Sequence, residues 1–94
     1  MTDGEVLREI EEILSEYNTT MGTRIKCSGI KPNDHFCNDI GGDSLKLVSM
    51  IISFEERFGI EIDERDFVDA NPWVMGNLAR YIQEKRRKSE EAPQ

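Results

Sequence analysis

Between Asp43 and Gly59 the apolar residues recur at the spacing of an α-helix, and this segment restricts the possible folds most. At about 100° per residue, Leu47, Met50, Ile51, Phe54 and Phe58 share one face, the usual order of a core-facing stripe. Asp43 is a good N-cap and Gly59 a good stop, so the segment predicts a helix over residues 44–58. Leu45, Val48 and Ile52 form a second stripe, rotated well away from the first, with Ser44 at the head of the helix beside it. Either both stripes are buried, with the helix central in a bundle, or the second is an exposed docking patch. A chain of 94 residues has few elements with which to cover two faces, which favours the patch.

The flanking segments also read as helical. Thr2 and Glu5 fit a capping box before a helix over residues 3–17, with Val6, Ile10, Ile13, Leu14 and Tyr17 inside. A long connection, residues 18–42, lacks helical periodicity; Ile30, Phe36 and Ile40 are its candidate anchors, and Pro32-Asn33-Asp34 reads as a turn. After Gly59 a brief helix is expected over residues 64–69, capped by Asp63. Asn71 as N-cap and Pro72 at the first helical position then open the last helix, whose core residues are Val74, Leu78, Tyr81 and Ile82. Gly76 weakens that helix slightly. The expected layout is one domain over residues 1–88 and a flexible charged tail over residues 89–94.

Net charge is −7, which argues against nucleic-acid binding and favours steering towards basic partner surfaces. The start Met1-Thr2-Asp3-Gly4-Glu5 lacks the basic and apolar regions of a signal peptide. No apolar stretch is long enough to span a bilayer, so a cytoplasmic monomer without membrane insertion is expected. Cys27 and Cys37 are too few for a disulfide framework; reduced thiols are expected, with a bridge within the loop as the lesser alternative.

Catalytic and metal chemistry finds little support. His35, Cys37 and Cys27 fall short of a closed zinc site and have the wrong spacing. A Cys–His pair has no third group to orient it. The acids Glu55, Glu56, Glu61, Asp63, Glu64, Asp66 and Asp69 lack the ligand order of an EF-hand. Gly41-Gly42 is followed by no Gly-Lys-Ser/Thr, and Lys46 stands where a nucleophile elbow needs glycine. No catalytic residue and no metal site is assigned.

What remains is Gly41-Gly42-Asp43-Ser44-Leu45, which puts a serine hydroxyl at the first turn of a helix after a glycine-rich loop. Such a hydroxyl is easily reached by an enzyme and can carry a phosphate ester; backbone N–H groups at that end face an anion. The stretch from Asp34 to Leu45, with Phe36 and Asp39-Ile40-Gly41 upstream of Asp43-Ser44-Leu45, resembles the prosthetic-group site of acyl carrier proteins. The continuation from Ile51 to Ile62, including Phe58-Gly59-Ile60-Glu61-Ile62, extends the likeness.

The resemblance implies an all-α fold, a small four-helix bundle with a long first loop and a short third helix. It implies that Ser44 receives 4′-phosphopantetheine from coenzyme A through a separate phosphopantetheinyl transferase using magnesium. The arm's thiol then holds an acyl group as a thioester. Asp43, with Gly42, supports the attachment site, and Asp43 contacts the transferase's metal. Leu45, Lys46, Val48 and Ile52 would face partner enzymes. Lys46 and Ser49 stand where carriers of fatty-acid synthesis often have acids, and Gly41-Gly42-Asp43-Ser44 is similar to polyketide and peptidyl carriers. Around residues 21–26 the first loop is a few residues longer than the family usually has. These departures favour a free-standing carrier for polyketide or specialised lipid synthesis, served by acyl-loading and ketosynthase-type enzymes. The alternatives are an aminoacyl or peptidyl carrier served by an adenylating enzyme, and an unmodified helical adaptor that uses the apolar patch alone.

Overall fold

Thr2 begins the first helix, α1 (Asp3–Met21), in the computed structural model, which describes residues 2–91, with the side chains of residues 90 and 91 left aside. The Thr2 hydroxyl accepts from the Glu5 N–H at 3.2 Å, and the Glu5 carboxylate accepts from the Thr2 N–H at 3.3 Å, closing the expected capping box. The helix runs one turn past its expected end at Tyr17. Asn18-Thr19-Thr20 is weak helical sequence, but the Asn18 amide is bound from the following loop. Its Nδ2 donates to the Ile25 carbonyl at 2.7 Å, and its Oδ1 accepts from the Ile25 N–H at 3.0 Å and the Thr23 hydroxyl at 2.8 Å. Gly22, left-handed at φ 69°, closes the helix.

The expected helix over residues 44–58 forms as two segments, α2 (Ser44–Ser49) and α3 (Ile51–Phe58). They meet at Met50, whose N–H still reaches the Lys46 carbonyl at 3.2 Å and also the Leu47 carbonyl at 3.1 Å. The Phe54 N–H reaches Met50 in turn, at 2.9 Å, so the two segments act as one helix with a tightened turn. Leu47, Met50, Phe54 and Phe58 are buried as the periodicity predicts. Ile51 is half-buried at the edge of the core rather than inside it.

α4 (Glu64–Asp69) has the expected bounds, with Asp63 Oδ1 accepting from the N–H groups of Arg65 and Asp66. It is held to α5 (Met75–Glu91) by Phe67 packed edge-on to Tyr81 at 5.6 Å and by an Asp66–Lys85 ion pair at 3.0 Å. The architecture is thus the expected all-α four-helix bundle, the second helix being divided, the third short and the first connection long. Of the expected tail, residues 89–91 continue α5, and residues 92–94 lie outside the described residues.

The start of α5 differs from expectation. Asn71 and Pro72 neither cap nor begin it: Asn71 is left-handed at φ 52°, Pro72 is buried, and the helix starts at Met75. The cap comes from the long first connection. The Met75 N–H donates to the Asp34 carbonyl at 2.9 Å and the Gly76 N–H to the Pro32 carbonyl at 2.7 Å. A local signal lost here to a tertiary one, because loop carbonyls satisfy the orphan donors that a capping side chain would otherwise meet. Gly76 is required by closeness rather than merely tolerated: a Cβ there would stand 2.9 Å from the Pro32 carbonyl oxygen. Val74, expected inside, is half-buried in an isolated antiparallel bridge with His35.

The core lies where α1, α3 and α5 meet, around Ile10, Leu14, Phe54, Leu78 and Ile82. Ile30, Phe36 and Ile40 anchor the first connection in it as expected, joined by Ile25. A ladder of charge closes the α1–α3 seam: the Arg57 guanidinium meets Glu9 at 2.9 Å and Glu12 and Glu16 at 2.8 Å. These carboxylates hold the Arg57 pKa up, against the opposing effect of its desolvation. Because three carboxylates share one cation, Arg57→Ala should cost about 1 kcal/mol, a network value rather than that of a lone surface pair. Thermal melts should show the deficit shrinking as salt is raised; a salt-independent deficit would assign the loss to packing of the arginine stem.

Candidate functional site

The loop before α2 is built from a small capped turn. His35 Nδ1 accepts from the N–H groups of Cys37 at 3.1 Å and Asn38 at 3.3 Å, and Asp39 Oδ2 accepts from the His35 N–H at 2.7 Å. The turn over residues 36–40 is therefore bracketed at both ends, and the single histidine has a structural post. Among the described residues no group of three or more His, Cys, Asp or Glu side chains could hold a metal ion, and Cys27 and Cys37 are free thiols, half-buried.

Phe36 leads from that turn to the helix. Its ring is buried, and its carbonyl accepts from the Gly42 N–H at 2.9 Å. Gly41 takes φ 89°, a conformation suited to glycine, and turns the chain towards α2. Gly42 has a different need. A Cβ there would overlap the Phe36 ring, so only a bare backbone fits.

Asp43 caps α2 with both oxygens engaged by one residue. Oδ1 accepts from the Lys46 N–H at 2.9 Å, and Oδ2 pairs with the Lys46 ammonium at 2.9 Å. These bonds hold the Asp43 carboxyl below its ordinary pKa, and the same pair raises that of Lys46. A folded pKa below the unfolded one means that the cap is present above the ordinary aspartate range and is lost as pH falls through the lowered value. A carbon-detected NMR titration should place the Asp43 midpoint below that of a model aspartate, and Lys46→Met should move it upward. An unmoved midpoint would show that the ammonium adds nothing to the cap.

Ser44 follows as the first residue of α2 and is exposed. Leu45 at 79%, Val48 at 55% and Ile52 at 64% are exposed too, so the second stripe is uncovered, as the small size of the chain suggested. Lys46, expected on the same partner-facing surface, is half-buried with its ammonium on Asp43. Met21 on α1 and Val68 on α4 are further exposed apolar residues that no periodicity singled out. Trp73 was also illegible in the sequence as part of this site. Its carbonyl accepts from the Phe36 N–H at 2.6 Å, and its ring lies against both Phe36 and His35.

The arrangement offers a reachable hydroxyl beside an uncovered apolar strip. Residues 18–82 match the family model described as the phosphopantetheine attachment site. Two mycobacterial proteins, from Mycobacterium bovis and Mycobacterium tuberculosis, are similar over the whole chain. Each is named meromycolate extension acyl carrier protein and is 30% identical over 94 residues, spanning 100% of this chain and 76% of the relative.

Proposed function

Because the chain belongs to the acyl carrier protein family, whose members carry a covalent 4′-phosphopantetheine and have no catalytic machinery of their own, we propose that Ser44 is the attachment residue in this chain. One observation carries the reading: Ser44 alone of the helix's serines stands at its exposed head, directly after a loop that only glycine at position 42 permits. The residues fit the group. The hydroxyl is open to solvent, and an uncovered apolar strip runs beside it. When bound, the arm supplies a thiol that holds an acyl group as a thioester.

In the transfer, Ser44 Oγ forms a new P–O bond while the bond to the nucleotide half of coenzyme A breaks, and the hydroxyl proton leaves to a base of the transferase. The family resemblance gives Asp43 a part in that step through the transferase's magnesium. In this chain Oδ2 is paired with the Lys46 ammonium, so a cation approaching that oxygen competes with the pair. Leu45, Val48 and Ile52 then form the face that visiting enzymes grip, with the net charge of −7 speeding encounter with basic partners.

The cargo we propose is an acyl intermediate of polyketide or specialised lipid synthesis. The names of the mycobacterial relatives, which refer to meromycolate extension, favour the lipid side of that pair. The test is intact-mass analysis after incubation with coenzyme A, magnesium and a broad-specificity transferase, followed by loading assays. The expected result is one phosphopantetheine adduct, mapped to the peptide containing Ser44, that accepts acyl or malonyl groups. Aminoacyl loading by an adenylating enzyme without acyl loading would assign the chain to the peptidyl carriers instead, and no adduct beside a modified control carrier would leave only the unmodified adaptor.

A further inference from the structure

We propose that Phe36 is a positioning residue for phosphopantetheine transfer, with Trp73 as its brace: the aromatic pair determines where the Ser44 hydroxyl is presented. The inference rests on the attachment reading and extends it to side chains beneath and behind the loop that carries Ser44.

The argument starts at Gly42. Its φ is not left-handed, so glycine is needed there for space and not for conformation. The occupant of that space is the Phe36 ring, which lies against the Gly42 backbone two residues before Ser44. Phe36 is itself immobilised from several sides. Its N–H donates to the Trp73 carbonyl at 2.6 Å, its carbonyl takes the Gly42 N–H at 2.9 Å, and it is 1% exposed. Its ring meets the Trp73 ring at 6.4 Å, and Trp73 stacks on His35, the residue that caps the turn carrying Phe36. The last loop peptides before α2 therefore rest on an aromatic ledge whose far end belongs to the segment before α5. Asp43 is extended, with φ −146° and ψ 178°, and links that ledge to the helix directly. A shift of the ring under Gly42 moves Asp43 and Ser44 together.

Misplacing a reacting group by about 1 Å can cost up to roughly 100-fold in rate. Gly42→Ala pushes a methyl group into the Phe36 ring, and Phe36→Leu makes room for it. The experiment measures transferase kinetics on Gly42→Ala, Phe36→Leu and the double variant, with hydrogen exchange at the Lys46 amide, which reports the Asp43 cap. Gly42→Ala should lower kcat by about 10- to 100-fold with KM for coenzyme A unchanged, and should speed exchange at Lys46 while α1 amides stay protected. The double variant should transfer faster than Gly42→Ala alone. Two merely destabilising changes would add instead, so a double variant no faster than Gly42→Ala overturns the proposal. If Gly42→Ala does not fold, Phe36→Leu decides: unchanged Lys46 exchange overturns the proposal, and faster exchange confined to residues 41–46 supports it. Failure of the attachment reading looks different, since the wild-type chain then takes no adduct at Ser44 while the exchange measurements still report on the ledge.

Discussion

Ser44→Ala should abolish the phosphopantetheine adduct completely while leaving the melting temperature unchanged. The hydroxyl is exposed, and the cap of α2 belongs to Asp43, so removing one oxygen should alter stability by no more than about 0.5 kcal/mol. The chemistry is all or none because an alanine methyl group cannot form the phosphate ester. Intact mass and a thermal melt on the same sample separate the two effects. Ser49 and Ser53 serve as internal controls on the same helical stretch. The Ser49 hydroxyl donates to the Lys46 carbonyl at 2.8 Å, next to Tyr17, and Ser53 lies farther from the loop. An adduct that persists in Ser44→Ala would move the site to another hydroxyl and end the present account.

The second large effect contrasts two neighbours. Leu47 is 2% exposed and Val48 is 55% exposed, although they are adjacent in sequence and similar in character. Leu47→Glu forces a carboxylate into the core without a partner, at a cost of several kcal/mol. A domain stable by about 5–15 kcal/mol has little margin against such a loss, so the variant should be largely unfolded by circular dichroism. Val48→Glu should melt with the wild type and accept phosphopantetheine, yet load more slowly with its acyl-transferring partner. Equal melts for the two variants would mean that the helix is rotated from the orientation described. Ile51 is a poorer probe of the same question because it is half-buried, and its glutamate variant should be intermediate.

Periodicity was a sound guide for Leu47, Phe54 and Leu78, and at α4, whose cap and bounds are local, but it set Tyr17, Ile51 and Val74 deeper than their half-buried places. The exposed stripe was legible for a related reason: three residues at helical spacing had no element left to cover them. Reading failed where distant segments supply the bonds. The last turn of α1 is held by the Asn18 amide and the Ile25 backbone, and the start of α5 by the carbonyls of Pro32 and Asp34. Neither interaction leaves a pattern within its own window of sequence. The candidate site shows the same division. Ser44 and Asp43 stand in a motif that can be quoted, whereas the Phe36–Trp73 ledge joins residues far apart in the chain, and a lone tryptophan after a proline carries no signal of where it will pack.

The cap that the first connection places on α5 has a temporal consequence. A ribosome delivers Ser44 well before Trp73, Met75 and Gly76, yet the ledge beneath the glycine loop is complete only when those later residues have docked. Until then the nascent chain has a serine but no fixed presentation of it. If the proposed ledge presents Ser44, arming has to wait until the segment through Gly76 has been made and docked, and a transferase that requires the folded loop should pass over chains lacking the last helix.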